Sequence, residues 1–148
     1  PDLADCPPTK LRRASVIGKA VPGAPQRGRM LVRGEPCNEL CPEVASIEGE
    51  AVVHKPGKGA FCRTPLEAHL RALGVTHLIF TGVTTEVCVN TTMREANDRG
   101  FECLLVTDAT ASYVPKFKEW AIELITSFNG IVGWAAGSEE VIAAIQGV

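Results

Sequence analysis

From residue 51 onward, short apolar runs alternate with stretches in which apolar side chains recur every three or four positions, the pattern of strands followed by helices. The first run, Ala51 to Lys55, stops at Pro56-Gly57 and predicts a strand with Lys55 at its carboxyl end. Thr64-Pro65-Leu66-Glu67 reads as a helix start, with Thr64 as the cap, Pro65 in the first turn and Glu67 completing a capping box. Leu66, Leu70 and Leu73 then share one face up to Gly74. A second strand, His77 to Thr81, leads through Gly82-Val83-Thr84-Thr85 into a helix that passes Cys88 towards Gly100, with Val89, Thr92, Met93 and Ala96 as its buried stripe. A third strand, Cys103 to Thr107, ends at Asp108-Ala109. After Pro115, Phe117, Trp120, Ala121, Leu124 and Phe128 keep helical spacing until Asn129-Gly130. A short strand, Ile131 to Trp134, precedes a last helix capped by Ser138 and burying Val141, Ile142 and Ile145.

Strands alternating with helices predict an α/β domain around a mainly parallel sheet. Ahead of residue 36 prolines, glycines and arginines crowd the chain, and only Arg29 to Arg33 hints at a strand, so this part reads as a loop-rich approach to one core. No internal repeat and no second domain is evident, and residues 1–148 are expected to form a single domain.

Composition narrows the function classes. With 148 residues, 45% hydrophobic and 22% charged, the chain is of globular type, and its formal net charge of -2 offers no basic nucleic-acid surface. No stretch approaches the ~18 apolar residues of a membrane span. A soluble cytoplasmic enzyme is the expectation. Six cysteines at irregular spacing (Cys6, Cys37, Cys41, Cys62, Cys88, Cys103) read as reduced thiols rather than a disulfide framework. Cys37 and Cys41 lack a second pair at ligand spacing, and His54, His69 and His77 are scattered, so no metal site is assigned.

The candidate chemistry lies at strand ends. Ligands of open α/β sheets bind beyond the carboxyl ends of the strands, and both Lys55 and the Gly82-to-Cys88 turn are predicted there. A cysteine in the first turn of a helix faces unpaired N–H groups whose partial positive charge favours a thiolate, and the same amides can hold a developing oxyanion. Cys88 is the cysteine so placed, which points to nucleophilic attack on a carbonyl carbon.

Gly82-Val83-Thr84-Thr85-Glu86-Val87-Cys88-Val89 resembles the nucleophile motif of isochorismatase-like cysteine hydrolases. His54-Lys55-Pro56-Gly57-Lys58-Gly59-Ala60-Phe61 resembles their lysine segment, 33 positions separate Lys55 from Cys88 as in that family, and Met93 to Gly100 continues the similarity. Pro1-Asp2-Leu3-Ala4-Asp5-Cys6-Pro7-Pro8 and Leu31-Val32-Arg33-Gly34-Glu35-Pro36 are similar to the biuret-hydrolase-like branch. The resemblance implies a three-layer αβα sandwich and a catalytic set of Asp, Lys and Cys, of which Lys55 and Cys88 carry over. The family's aspartate belongs to a first strand upstream of the lysine, at a position no residue here occupies, so the chain reads as N-terminally truncated. The resemblance further implies a cis Val83-Thr84 bond, an oxyanion hole from the amides of Thr84 and Cys88, and substrate contacts from Lys58, Phe61, Thr85 and Phe128. It implies no cofactor, a small amide or ureide as substrate, and assembly from identical subunits. Where biuret-type members use an amide side chain, this chain has Phe128, which offers no such hydrogen bond.

Plainer readings stand beside these. Cys62 and Cys103 read as packing residues, Phe61 and Phe128 as core aromatics first and pocket residues second, and Lys58 equally as a solvated charge. Cys88 and Arg94 have the Cys-x5-Arg spacing of cysteine phosphatases, but Val89-Asn90-Thr91-Thr92-Met93 contains no glycine to wrap a phosphate. A non-catalytic binding or assembly module on the same scaffold is the remaining alternative.

Overall fold

A computed structural model describes residues 6–147, and its contacts gather into two compact units, residues 1–56 and residues 57–148. Asp2 and Asp5 lie outside the described residues.

In the first unit the backbone is set by proline. A short helix, α1 (Pro8–Arg13), and three single 3-10 turns at Pro25–Arg27, Pro36–Asn38 and Pro42–Val44 each open on a proline, whose fixed φ suits a first helical turn. The strand hinted at from Arg29 to Arg33 reduces to a single antiparallel bridge, Ala20 with Arg29. Arg29 is held instead by Glu35: its Nε donates to Oε1 at 2.8 Å and its backbone N–H to Oε2 at 3.2 Å. These bonds hold the Glu35 carboxyl below its ordinary range. The expected strand Ala51 to Lys55 is irregular chain, with Val52 53% exposed. The local pattern was strand-like, but a strand needs a neighbour's ladder, and no described residue supplies one.

The second unit is regular. It runs α2 (Leu66–Ala72), β1 (His77–Val83), a wide π-type turn (Thr85–Val89), α3 (Asn90–Asp98), β2 (Glu102–Ala111), α4 (Pro115–Gly130), β3 (Trp134–Ala136) and α5 (Ser138–Gln146). The three strands are parallel in the order β1-β2-β3, with His77 opposite Glu102 and Leu105 opposite Ala135. The α/β class with a parallel sheet is therefore as the pattern of apolar positions predicts. Cys103 and Leu105 of β2 meet Val89, Met93 and Ala96 from the α3 side and Ile125 of α4 in the core, together with Phe61, Phe101 and Val132. Gly133 lets the chain pass against the Cys103 backbone, where any Cβ would collide with the carbonyl.

Several expected faces turn out differently. Thr64 Oγ1 accepts from Leu66 N–H at 3.3 Å and donates to the Ala60 carbonyl, but Glu67 completes no capping box and pairs with Arg71 and Arg99 instead. Leu73 is 65% exposed, beyond the end of α2. On α4 the buried positions are Ala121 and Ile125, while Phe117, Trp120, Leu124 and Phe128 are exposed. The spacing was helical, but the sheet selects a different phase of the helix. β3 begins at Trp134, not Ile131. α5 buries none of its residues, and Ser138 is not its cap: Glu140 Oε2 accepts from Gly137 N–H at 3.0 Å, and Ser138 binds Asp108.

Candidate functional site

β1 delivers the chain to a turn rather than to a loop. Val83 is its last residue, the Val83–Thr84 bond is cis as the resemblance implies, and Thr84 is extended before the helical turns begin. The Thr84 carbonyl accepts from both Val87 and Val89 N–H at 3.2 Å, the wide spacing that makes the turn π-type. Cys88 lies inside this turn, half-buried, directly ahead of α3. The expected helix start at Cys88 thus becomes a wide turn that merges with α3.

Hydrogen bonds within the second unit tie the Cys88 backbone to the segment after Lys55. Thr92 Oγ1 donates to the Cys88 carbonyl at 2.7 Å and accepts from Ala60 N–H at 3.2 Å. Phe61 N–H donates to Glu95 Oε2 at 3.3 Å, and Gly59 lies against the same carboxylate, where a Cβ would collide with it. The Phe61 ring lies 5.9 Å from that of Phe101, with the Arg99 guanidinium 4.9 Å from its centroid. Residues 59–61 are therefore fastened to α3 by side chains one and two turns beyond the cysteine.

Of the residues expected at the site, Thr84, Thr85 and Cys88 share this turn. Lys55 is half-buried in the irregular segment of the first unit, and Lys58 is exposed at the start of the second. Phe61 takes the core position of its plainer reading, 6% exposed. Thr85 is fully buried, its hydroxyl 2.8 Å from that of Thr110, so it faces the core rather than a substrate. Phe128 is 88% exposed, which removes the core reading, and it stands with Asn129 in left-handed backbone at the end of α4. The segment between Cys88 and Arg94 is helical and the Arg94 guanidinium donates to Asn90 Oδ1 at 2.9 Å, leaving no loop of amides for a phosphate.

The other cysteines separate clearly. Cys103 is 2% exposed, and burial pushes its thiol up to about 11, with Glu102 adding to the effect. Cys62, expected in packing, is exposed. Among the described residues no three His, Cys, Asp or Glu side chains gather as a metal site, and no helix is long and apolar enough to cross a membrane. Thr92, Glu95 and Thr110 are the residues that sequence reasoning missed as parts of this region. Their signal was faint, since each is a polar residue in a helix or strand whose partner lies 25 or more positions away or across a turn.

A parallel α/β sheet with a cysteine turn at the end of a strand defines the class. Residues 19–136 match the isochorismatase domain, and the chain belongs to the isochorismatase family. The ureidoacrylate amidohydrolase RutB of Klebsiella pneumoniae subsp. pneumoniae is 32% identical over 120 residues, covering 81% of this chain and 50% of that protein. An isochorismatase-like hydrolase from Alkaliphilus metalliredigens matches with a TM-score of 0.73 at 26% identity, over 77% of this chain and 60% of its own. The nicotinamidase PncA of Bacillus subtilis matches with a TM-score of 0.66 at 27% identity, over 71% and 61%. The chain thus spans half the length of RutB.

Proposed function

We propose that the protein is a cysteine amidohydrolase that cleaves a C–N bond of a small linear amide or ureide, with Cys88 as nucleophile. The observation that carries this reading is the position of Cys88, half-buried in the turn that closes β1 and opens α3, in a chain whose relatives include a ureidoacrylate amidohydrolase and a nicotinamidase. Its sulfur forms a bond to the carbonyl carbon, and the amides of Thr84 and Cys88 hold the resulting oxyanion. Collapse breaks the C–N bond, the amine departs with the proton that came from the thiol, and water then cleaves the thioester, returning the thiol and releasing the acid. The proton carrier is the aspartate of the family's catalytic set, which the resemblance places upstream of the lysine. Lys55, assigned by its motif alone, stabilises the thiolate.

Lys58 and Phe128 are exposed and remain the substrate-facing candidates, whereas Phe61 and Thr85 act from the core. An aromatic side chain at 128 suits a substrate with an apolar group better than biuret itself. The reading carries with it a cytoplasmic enzyme of identical subunits that uses no cofactor.

The test uses the full-length protein and measures ammonia from primary amides, and from ureides through carbamate, with acid quench and mass spectrometry to trap the acyl group. A thioester on Cys88 and turnover lost in Cys88→Ser are expected. Ammonia release that persists in Cys88→Ser refutes the assignment.

A further inference from the structure

Thr85 and Thr110 are the buried polar side chains of the described residues, 0% and 5% exposed. A valine has nearly their shape and carries no desolvation cost, so hydroxyls at these positions call for partners that need them. Those partners are one another and the Gly82 carbonyl. Thr110 Oγ1 lies 2.8 Å from Gly82 O and 2.8 Å from Thr85 Oγ1. A carbonyl only accepts, so the single Thr110 proton goes to Gly82 O, and Thr85 must donate to Thr110. The relay therefore runs from the turn, through the end of β2, back to the last residues of β1.

Gly82 is where such a restraint matters. Its φ is 100°, in the region that glycine enters without steric cost, and a Cβ built there would meet nothing within 4 Å. The peptides that follow carry the Thr84 and Cys88 amides, so the orientation of this one sets where they begin. Thr110 already faces Gly82 in the parallel ladder, so its hydroxyl adds a side-chain bond to that backbone pairing, and its own carbonyl is held from α4 by Lys118 Nζ at 2.8 Å.

We propose that Thr110 is a positioning residue of the amidohydrolase centre, its hydroxyl fixing the Gly82 peptide and the Thr85 side chain so that the turn presents its amides to the oxyanion. This rests on the reading of Cys88 given above. Alkylation of Cys88 by iodoacetamide requires a thiolate but forms no oxyanion, whereas amide hydrolysis requires both, and the two reactions separate positioning from mere folding.

In the full-length protein, Thr110→Val lowers kcat by about 10- to 100-fold, as a sub-ångström to ångström misplacement does, with little change in KM. The same variant alkylates at Cys88 within about two-fold of the unsubstituted protein, because its thiolate is intact. Thr110→Ser restores kcat, since it returns the donor. An unchanged kcat in Thr110→Val, or a loss that Thr110→Ser fails to rescue and that extends equally to alkylation, overturns the positioning role. If Thr110→Val does not melt cooperatively, Thr85→Val removes only the outer hydroxyl and leaves the Gly82 carbonyl bonded; a smaller fall in kcat supports the role and an unchanged kcat overturns it. Absence of any amide turnover in the unsubstituted protein removes the amidohydrolase reading before a variant is made, and this inference with it.

Discussion

Cys88 and Cys103 contribute to neighbouring elements of one unit, yet the backbone around each sets them in opposite surroundings. Cys103 points from β2 into the core, where its Sγ lies 3.5 Å from the Phe101 carbonyl and 3.7 Å from that of Met93, and burial holds the thiol protonated. Cys88 sits in a wide turn beyond the end of a strand, half-buried. A strand directs alternate side chains into the packed face of the sheet, while the end of a strand has no such layer above it. Residue type says little about surroundings here; the place of the residue along its element says most of it.

The largest effect should separate the two cysteines outright. In the full-length protein Cys88→Ser lowers amide turnover by more than about 10³-fold, while Cys103→Ala leaves it unchanged; equal losses in steady-state assays would end the contrast. The proposed mechanism assigns Lys55 to the support of Cys88. Lys55→Met should lower kcat/KM by about 10²-fold and slow iodoacetamide modification of Cys88 near pH 7, with Cys103 unaffected, and an unaltered Cys88 rate leaves Lys55 outside the chemistry.

Smaller effects test the buried side. Cys103→Ala opens a small space among Met93, Phe101 and Leu105 and should cost about 1–2 kcal/mol, read from urea unfolding; no loss would mean that the core closes around the gap. The smallest concerns the far end of the same strand. Asp108, exposed, accepts from Ser138 Oγ at 2.6 Å and Ser138 N–H at 2.8 Å, bonds that lower its carboxyl below the ordinary 3.8. A carboxyl depressed in the folded state adds stability above its unfolded value and loses it as pH falls from 3.8 through the lower folded value. Asp108→Asn should therefore flatten the melting temperature across that acid window, whereas Cys103→Ala should not alter its slope there.

Much of this was readable locally. The strand His77 to Thr81, the turn, the helix with Val89, Met93 and Ala96 inside, and the third strand are all found, because period and turn residues are properties of neighbours in the chain. The cysteine in the turn between a strand and a helix could be singled out on the same grounds. What the sequence could not settle was decided by atoms far along the chain. Ala51 to Lys55 has a strand's residues but no described ladder partner. The α4 pattern fits a helix, but only packing against the sheet chooses Ala121 and Ile125 over Phe117, Trp120 and Leu124. Thr110 looks like one more β-branched strand residue until folding brings its hydroxyl to Gly82, 28 positions earlier. Local periodicity reports what each segment can become, while burial and hydrogen-bond partners are set only when distant segments meet, and those partnerships determine which polar side chains hold the turn that carries Cys88.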